Sequence, residues 1–162
     1  MQNSHQYRPA LVAGYEHIIK HGFLGTNAFL EIQHLLEPNK GGIRNLPGTR
    51  VRNDITGEVY YTPPEGEALI RDLLKNFEDY YNDKTDGVDP LIKAAICHYQ
   101  FEAIHSFIDG NGRTGRILFV LQLALTNHLN APILYISGFI NKNRNEYYEL
   151  LRGLPEKNNW KD

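Results

Sequence analysis

At 162 residues, with 41% hydrophobic and 22% charged residues, the chain is long enough to bury a core and has the composition of one ordinary globular domain. A formal net charge of -2 argues against binding driven by bulk positive charge, so no nucleic-acid partner is expected. A single cysteine, Cys97, excludes an internal disulfide framework, and no basic, apolar and small-residue leader pattern opens the chain, so a reducing, cytoplasmic setting is expected.

In chain order, Leu11 to Lys20 places Leu11, Tyr15, Ile18 and Ile19 on one helical face, and His21-Gly22 ends it. Thr26 reads as the N-cap of a second helix, Asn27 to Leu36, stopped by Glu37-Pro38. Asn39 to Gly48 is rich in turn formers and reads as a loop. Val51 to Tyr61 carries β-branched and aromatic residues on both sides of an Asp54-to-Gly57 turn, which predicts a small hairpin ended by Pro63-Pro64. Glu67 to Tyr81 is an amphipathic helix with Leu69, Ile70, Leu73, Leu74 and Phe77 at helical spacing. Asp89-Pro90 starts the next helix, and Leu91 to Ile104 is apolar nearly all round, as a helix inside a bundle must be. A second such helix is expected from about Gly112 to Asn127. Its apolar run, Ile117 to Leu125 broken only by Gln122, is far short of the ~20 residues that cross a bilayer, so no membrane role is expected. A last helix is predicted over Asn141 to Arg152. The fold class expected is all-α with one small hairpin.

The segment joining the two buried helices, His105-Ser-Phe-Ile-Asp-Gly-Asn-Gly-Arg-Thr-Gly-Arg116, concentrates the chemistry. Glycines let main-chain N–H groups approach a ligand, and successive N–H groups in such a turn make an anion-binding nest. A helix N-terminus adds unpaired N–H groups and the positive end of its dipole. Arg113 and Arg116, three apart, can project to one side of that turn, where two guanidinium groups are unfavourable unless an anion joins them. A polyphosphate fits, because arginine binds phosphate in a bidentate geometry. Asp109 beside phosphates is suited to Mg²⁺, and His105, with an ordinary pKa of about 6.5, to taking a proton from a hydroxyl.

Other readings of the same residues fail on context. Gly110, Gly112 and Gly115 spell the dinucleotide fingerprint, but a helix precedes them and Asn130 stands where an acidic residue is needed. No H-R-D or D-F-G follows for a kinase loop. A calcium loop starting at Asp109 would meet Arg113, Thr114 and Val120 at its key positions. Walker A and H-E-x-x-H patterns are absent. A plain helix-helix turn explains neither His105 nor the two arginines.

The segment resembles the signature of the Fic family, His-Pro-Phe-x-Asp/Glu-Gly-Asn-Gly-Arg-x-x-Arg, matching at His105, Phe107, Asp109, Gly110, Asn111, Gly112, Arg113 and Arg116. Ser106 replaces the usual proline and removes no chemical group. Asp89 to Ala95, His98 to His105, Ile136-Ser137 and Glu146 to Leu151 also resemble elements of that family, so the similarity runs from about Tyr7 to Leu154. It implies a Fic-type helical bundle with a hairpin flap, residues 1–162 forming one domain, and protein adenylyl transfer: AMP moved from ATP to a Ser, Thr or Tyr hydroxyl of a target protein. By that resemblance His105 is the general base and Asp109 holds Mg²⁺. Gly110, Asn111 and Gly112 form the anion hole, and Arg113 and Arg116 fix the phosphate tail, with Thr114 and Gly115 in the same nucleotide-binding stretch. Phe107 anchors the loop in the core. Tyr147 and Tyr148 would lie near the adenosine, ordinary helix packing being the alternative. Val51, Arg52, Val59, Tyr60 and Tyr61 of the flap would dock the target as an added strand. His98 reads as a packed core histidine and Cys97 as a small buried hydrophobe.

Family members often carry an inhibitory Ser/Thr-x-x-x-Glu helix, yet no Ser or Thr here has Glu four residues on. Residues 1–162 are therefore expected to be a core fragment or a member lacking its own inhibitory helix, with inhibition coming from a missing helix or a separate partner. The same scaffold could instead remove AMP, transfer another nucleotide or phosphate group, or bind a nucleotide without catalysis.

Overall fold

Two helices that are apolar on nearly every side lie at the centre, and the amphipathic ones cover them. In the computed structural model, which describes residues 4–52 and 57–157, the elements are α1 (Ser4–His21), α2 (Thr26–Leu36), a 3₁₀ turn (Pro38–Lys40), β1 (Val51–Arg52), β2 (Val59–Tyr61), α3 (Glu67–Asn82), α4 (Pro90–Ile104), α5 (Asn111–Leu125), α6 (Ile136–Lys142) and α7 (Arg144–Lys157). Helix α4 packs along α5, α1 and α2 pair on one flank, and α3 lies against α4. The fold is all-α apart from β1 and β2, which pair antiparallel with an irregular register. The turn expected at Asp54–Gly57 falls mostly outside the described residues.

An aromatic cluster of Phe29, Phe77, Tyr81 and Phe101 joins α2, α3 and α4, with ring centroids 5.5–6.5 Å apart. Such tilted and edge-on contacts add to the burial of apolar area. Phe101 also meets Phe107 at 6.0 Å, so the loop after α4 is fixed by the core itself. The buried Tyr81 hydroxyl donates to the Leu118 carbonyl at 2.8 Å, which ties α3 to α5. Cys97 is buried, and that burial pushes its thiol up to about 12, as expected of an inert core residue.

Several boundaries differ from the sequence reading. α1 begins at Ser4 because Tyr7 and Ala10 pack on the core, which outweighs Pro9 inside the helix. The helix expected over Asn141 to Arg152 is two helices. Asn143 separates them, its side-chain amide donating to the Phe139 carbonyl at 2.9 Å in competition with a continuous helix. Asp89 does cap α4, accepting from the Leu91 and Ile92 N–H groups.

Thr26 is not a cap. Gly25 occupies that position without a side chain to offer, and the Thr26 N–H and hydroxyl both donate to Glu78 Oε2 of α3, at 2.6 and 2.7 Å. Burial raises the Glu78 carboxyl, but the bonds from Thr26 and Lys75 outweigh it and hold it below its ordinary value. A glutamate 52 residues away therefore supplies the helix start. Glu78→Ala should cost about 2 kcal/mol in urea unfolding near neutral pH. Because the folded-state pKa is depressed, this loss should shrink as pH falls through the carboxylate range.

Candidate active site

The end of α4 and the start of α5 make one wall of an open cavity of about 890 Å³, lined on its other sides by residues of β1, β2 and α7. His105 is the C-cap of α4 in the left-handed region, φ 48° and ψ 53°, with its N–H donating to the Phe101 carbonyl at 3.1 Å. His105 lines the cavity. Burial lowers its pKa below the ordinary value, the nearby Glu102 carbonyl opposes that change, and the Arg44 charge adds to it, so the imidazole is neutral at pH 7.

The next residues build the anion cradle. Phe107 is fully buried, and the Asn111 side chain clamps it from both sides. The Phe107 N–H donates to Asn111 Oδ1 at 2.9 Å, and Asn111 Nδ2 donates to the Phe107 carbonyl at 2.8 Å. Asn111 therefore serves the cradle through its backbone, while its side chain, 4% exposed as a residue, locks the loop. Gly110 sits at φ 84°, ψ 2° as the α5 N-cap, a conformation that glycine adopts at little cost. No side chain caps α5, and the main-chain N–H groups of Asn111, Gly112 and Arg113 have no acceptor among the described residues. All three residues line the cavity. Three free N–H groups at a helix start are able to receive an anion.

The two arginines stand on opposite sides of this cradle. Arg113 pairs with Glu37, next to the 3₁₀ turn, and lies 3.4 Å from Asp109 Oδ1. The charge that sequence reasoning left to a ligand is thus partly met by the protein's own carboxylates. Arg116 Nε donates to Ser137 Oγ of α6 at 3.1 Å, and Arg116 forms no ion pair among the described residues. Asp109 accepts from Lys40 Nζ at 2.7 Å and from the Gly110 N–H at 2.7 Å. The Lys40 bond, opposed by some burial and helped by Gly110, holds the Asp109 carboxyl below its ordinary value.

Residues 23–123 match the model of the Fic/DOC family. The chain belongs to that family. It is 35% identical over 96 residues, 57% of its length, to the protein adenylyltransferase fic-1 of Caenorhabditis elegans, and 29% identical over 133 residues, 80% of its length, to the protein adenylyltransferase Fic of Aedes aegypti. It spans only 19% and 25% of those two proteins. Among solved structures, a Fic family protein from Desulfovibrio desulfuricans G20 superposes with a TM-score of 0.72 at 24% identity, over 97% of this chain and 47% of that one. Fic-1 (residues 134–508) of C. elegans gives 0.57 at 27% identity, over 78% and 38%.

Within this Fic/DOC site the remaining expected residues divide. Thr114 and Gly115 face the helix packing and do not line the cavity. Thr114 is fully buried, and a Cβ on Gly115 would collide with the Glu102 carboxyl of α4. Tyr148 lines the cavity and stacks on Tyr60 of the flap at 6.2 Å and 19°, whereas Tyr147 turns inward and meets His98 Nε2 at 2.7 Å. His98 is the packed histidine expected, with burial lowering it to about 4. Val51, Arg52 and Tyr60 line the cavity, Tyr61 lines a smaller apolar slot of about 170 Å³ beside it, and Val59 faces outward.

Sequence reasoning missed four participants. Glu37 and Lys40 sit in a stretch that reads as a helix stop and a turn-rich loop, and nothing local marks them. Arg44 is buried in the same loop. Glu102 carried a signal, being the one acidic residue on a mostly apolar helix, three before His105. Burial raises it to about 7 despite Arg116, and its Oε1 has no partner.

Asn111→Ala would leave the buried Phe107 N–H and carbonyl unpaired. It should cost about 3 kcal/mol in urea unfolding, the penalty for two unsatisfied buried groups.

Proposed function

We propose that this chain is a protein adenylyltransferase that moves AMP from ATP onto a Ser, Thr or Tyr hydroxyl of a target protein. The observation that carries this reading is a neutral imidazole, His105, in one cavity wall with the uncapped N-terminus of α5. The similar proteins of C. elegans and A. aegypti, both protein adenylyltransferases, support it. The triphosphate would lie on the Asn111, Gly112 and Arg113 N–H groups, with Arg116 reaching the phosphate tail from the side of α6. Tyr60 and Tyr148 would flank the adenosine. A target segment would add as a strand at the flap, main-chain bonds supplying affinity and Val51, Arg52 and Tyr60 supplying selection.

The residues fit Mg²⁺. Among the described residues no group of three His, Cys, Asp or Glu could hold a metal alone, so one here would borrow phosphate oxygens and water. Asp109 is the carboxylate placed for it. The Lys40–Asp109 pair that now occupies that oxygen is 53% and 40% exposed, a screened contact that a dication can displace. When bound, the ion would neutralise phosphate charge. The chain's own part in the chemistry is then simple. His105 takes the proton of the target hydroxyl, that oxygen bonds to the α-phosphorus, and the bond from it to the β-phosphate oxygen breaks in line. Pyrophosphate leaves, and the proton passes from His105 to solvent. Arg113 and Arg116 stabilise the charge that spreads over the phosphates. We place this reaction in the cytoplasm, in keeping with the lone, buried Cys97. Arg116, free of any ion pair among the described residues, is where an inhibitory partner's carboxylate would act.

The test is incubation with α-labelled ATP, Mg²⁺ and host lysate. Label should appear on protein, be lost at least 100-fold in His105→Ala, and fail to appear with γ-labelled ATP. Label that persists in His105→Ala would remove the base role, and label from UTP or γ-labelled ATP would assign a sister chemistry. The pH dependence has a definite sign. A base whose pKa is lowered is already deprotonated at pH 7, so the rate should rise through the acid range and level off before neutrality. A rate still climbing above pH 7 would contradict a neutral His105.

A further inference from the structure

One guanidinium joins three segments of the site. Arg44 is 2% exposed, among the largest fully buried side chains, and has no carboxylate within 4.0 Å among the described residues. Its Nε donates to the His105 carbonyl at 2.7 Å, and its Nη2 donates to the Pro64 carbonyl. Its own N–H donates to the Ser106 carbonyl at 2.9 Å, and Ile43 beside it bridges antiparallel to Phe107. Residues 44 and 64 flank the flap on its two sides, so one planar group closes the root of the hairpin against the turn that carries the base.

The charge of Glu65 favours the Arg44 cation, but burial outweighs it. Apolar residues of similar volume commonly serve stability better than a buried cation without a paired carboxylate. Packing alone therefore gives no reason for arginine here. The partner it chooses does. His105 is one of only two described non-glycine residues at positive φ, a conformation disfavoured for a side chain with a Cβ and held only where its surroundings fix it. Arg44 bonds the carbonyl of that residue.

Resting on the adenylyl-transfer reading, we propose that Arg44 is a positioning residue that holds His105 in its left-handed turn and couples the orientation of this base to the root of the target-docking flap. A lysine cannot do both tasks, because a single ammonium lacks the fork that spans two carbonyls. The bonds let a target strand seated on the hairpin meet an imidazole that is already aimed.

Arg44 also acts on the ring through its charge, which disfavours the imidazolium. The other charged groups around His105 come from every wall. Glu102 is on its own helix, Asp109 lies in the loop, and Arg113 and Arg116 stand on α5. Arg52 and Glu58 belong to the flap, and Arg144, Glu149 and Arg152 to α7. Arg44 is the cation among them most closed off from solvent, so salt screens it least.

The experiment compares the full chain with Arg44→Lys and Arg44→Gln by three readouts: the His105 ring pKa by NMR, ATP affinity by calorimetry, and transfer from α-labelled ATP. Both variants should lose at least tenfold in transfer while ATP affinity stays within about twofold, because the Asn111 clamp is separate. In Arg44→Gln the His105 pKa should rise by roughly half a pH unit; in Arg44→Lys, which keeps the charge, it should stay where it is. A folded Arg44→Gln with unchanged transfer and unchanged His105 pKa overturns the proposal. If Arg44→Gln gives no cooperative unfolding transition, Arg44→Lys decides, and full transfer by that variant overturns it. Absence of transfer in the unmodified chain would count against the adenylyl-transfer reading instead, and the NMR comparison would still test the effect of Arg44 on His105.

Discussion

Three main-chain N–H groups at the start of α5 have no acceptor among the described residues, and the side chains beside them are turned elsewhere. Gly110 offers no side chain, Asn111 turns its amide back to Phe107, and Arg113 and Arg116 lean to opposite walls. An uncapped helix end beside a cavity is a standing demand for an anion. The surrounding structure makes sense as a frame for that demand. Phe107 joins the loop to the Phe101 cluster, and the mostly apolar α4 and α5 carry the loop between them.

The charges around the cradle follow from the same constraint. Arg113 is held by Glu37 and Asp109, and Asp109 is held by Lys40. These pairs prevent lone charges without filling the cradle. Arg116 is different, with Ser137 as its partner and the buried Glu102 carboxyl nearby across Gly112 and Gly115. The absence of a Cβ at Gly115 makes room for that carboxyl, which gives this glycine a packing role rather than a place at the phosphates.

What was legible in the sequence was what is local. His105, Asp109, the glycines and the arginines lie within 12 residues, and their spacing puts them on one helix-loop-helix unit. The central helices were legible because their extensive burial leaves few polar residues, although Leu91 and Ile92 at the start of α4 are exposed. Contacts across 52 to 76 residues were not. The Glu78 cap on α2, the Glu37–Arg113 pair, the Lys40–Asp109 pair and the Arg44 bond to His105 all join segments that the chain itself keeps apart. Tyr147 and Tyr148 show a second limit. Neighbours on a helix point about 100° apart, so one faces the cavity and the other His98, and only the docking of α7 settles which.

The most direct measurement of the central claim is an amide NMR titration of the ¹⁵N-labelled chain with ATP and Mg²⁺. The N–H resonances of Asn111, Gly112 and Arg113 should move furthest, followed by those near Tyr60 and Tyr148. Saturable ATP binding that leaves those three resonances in place would mean that the triphosphate lies elsewhere.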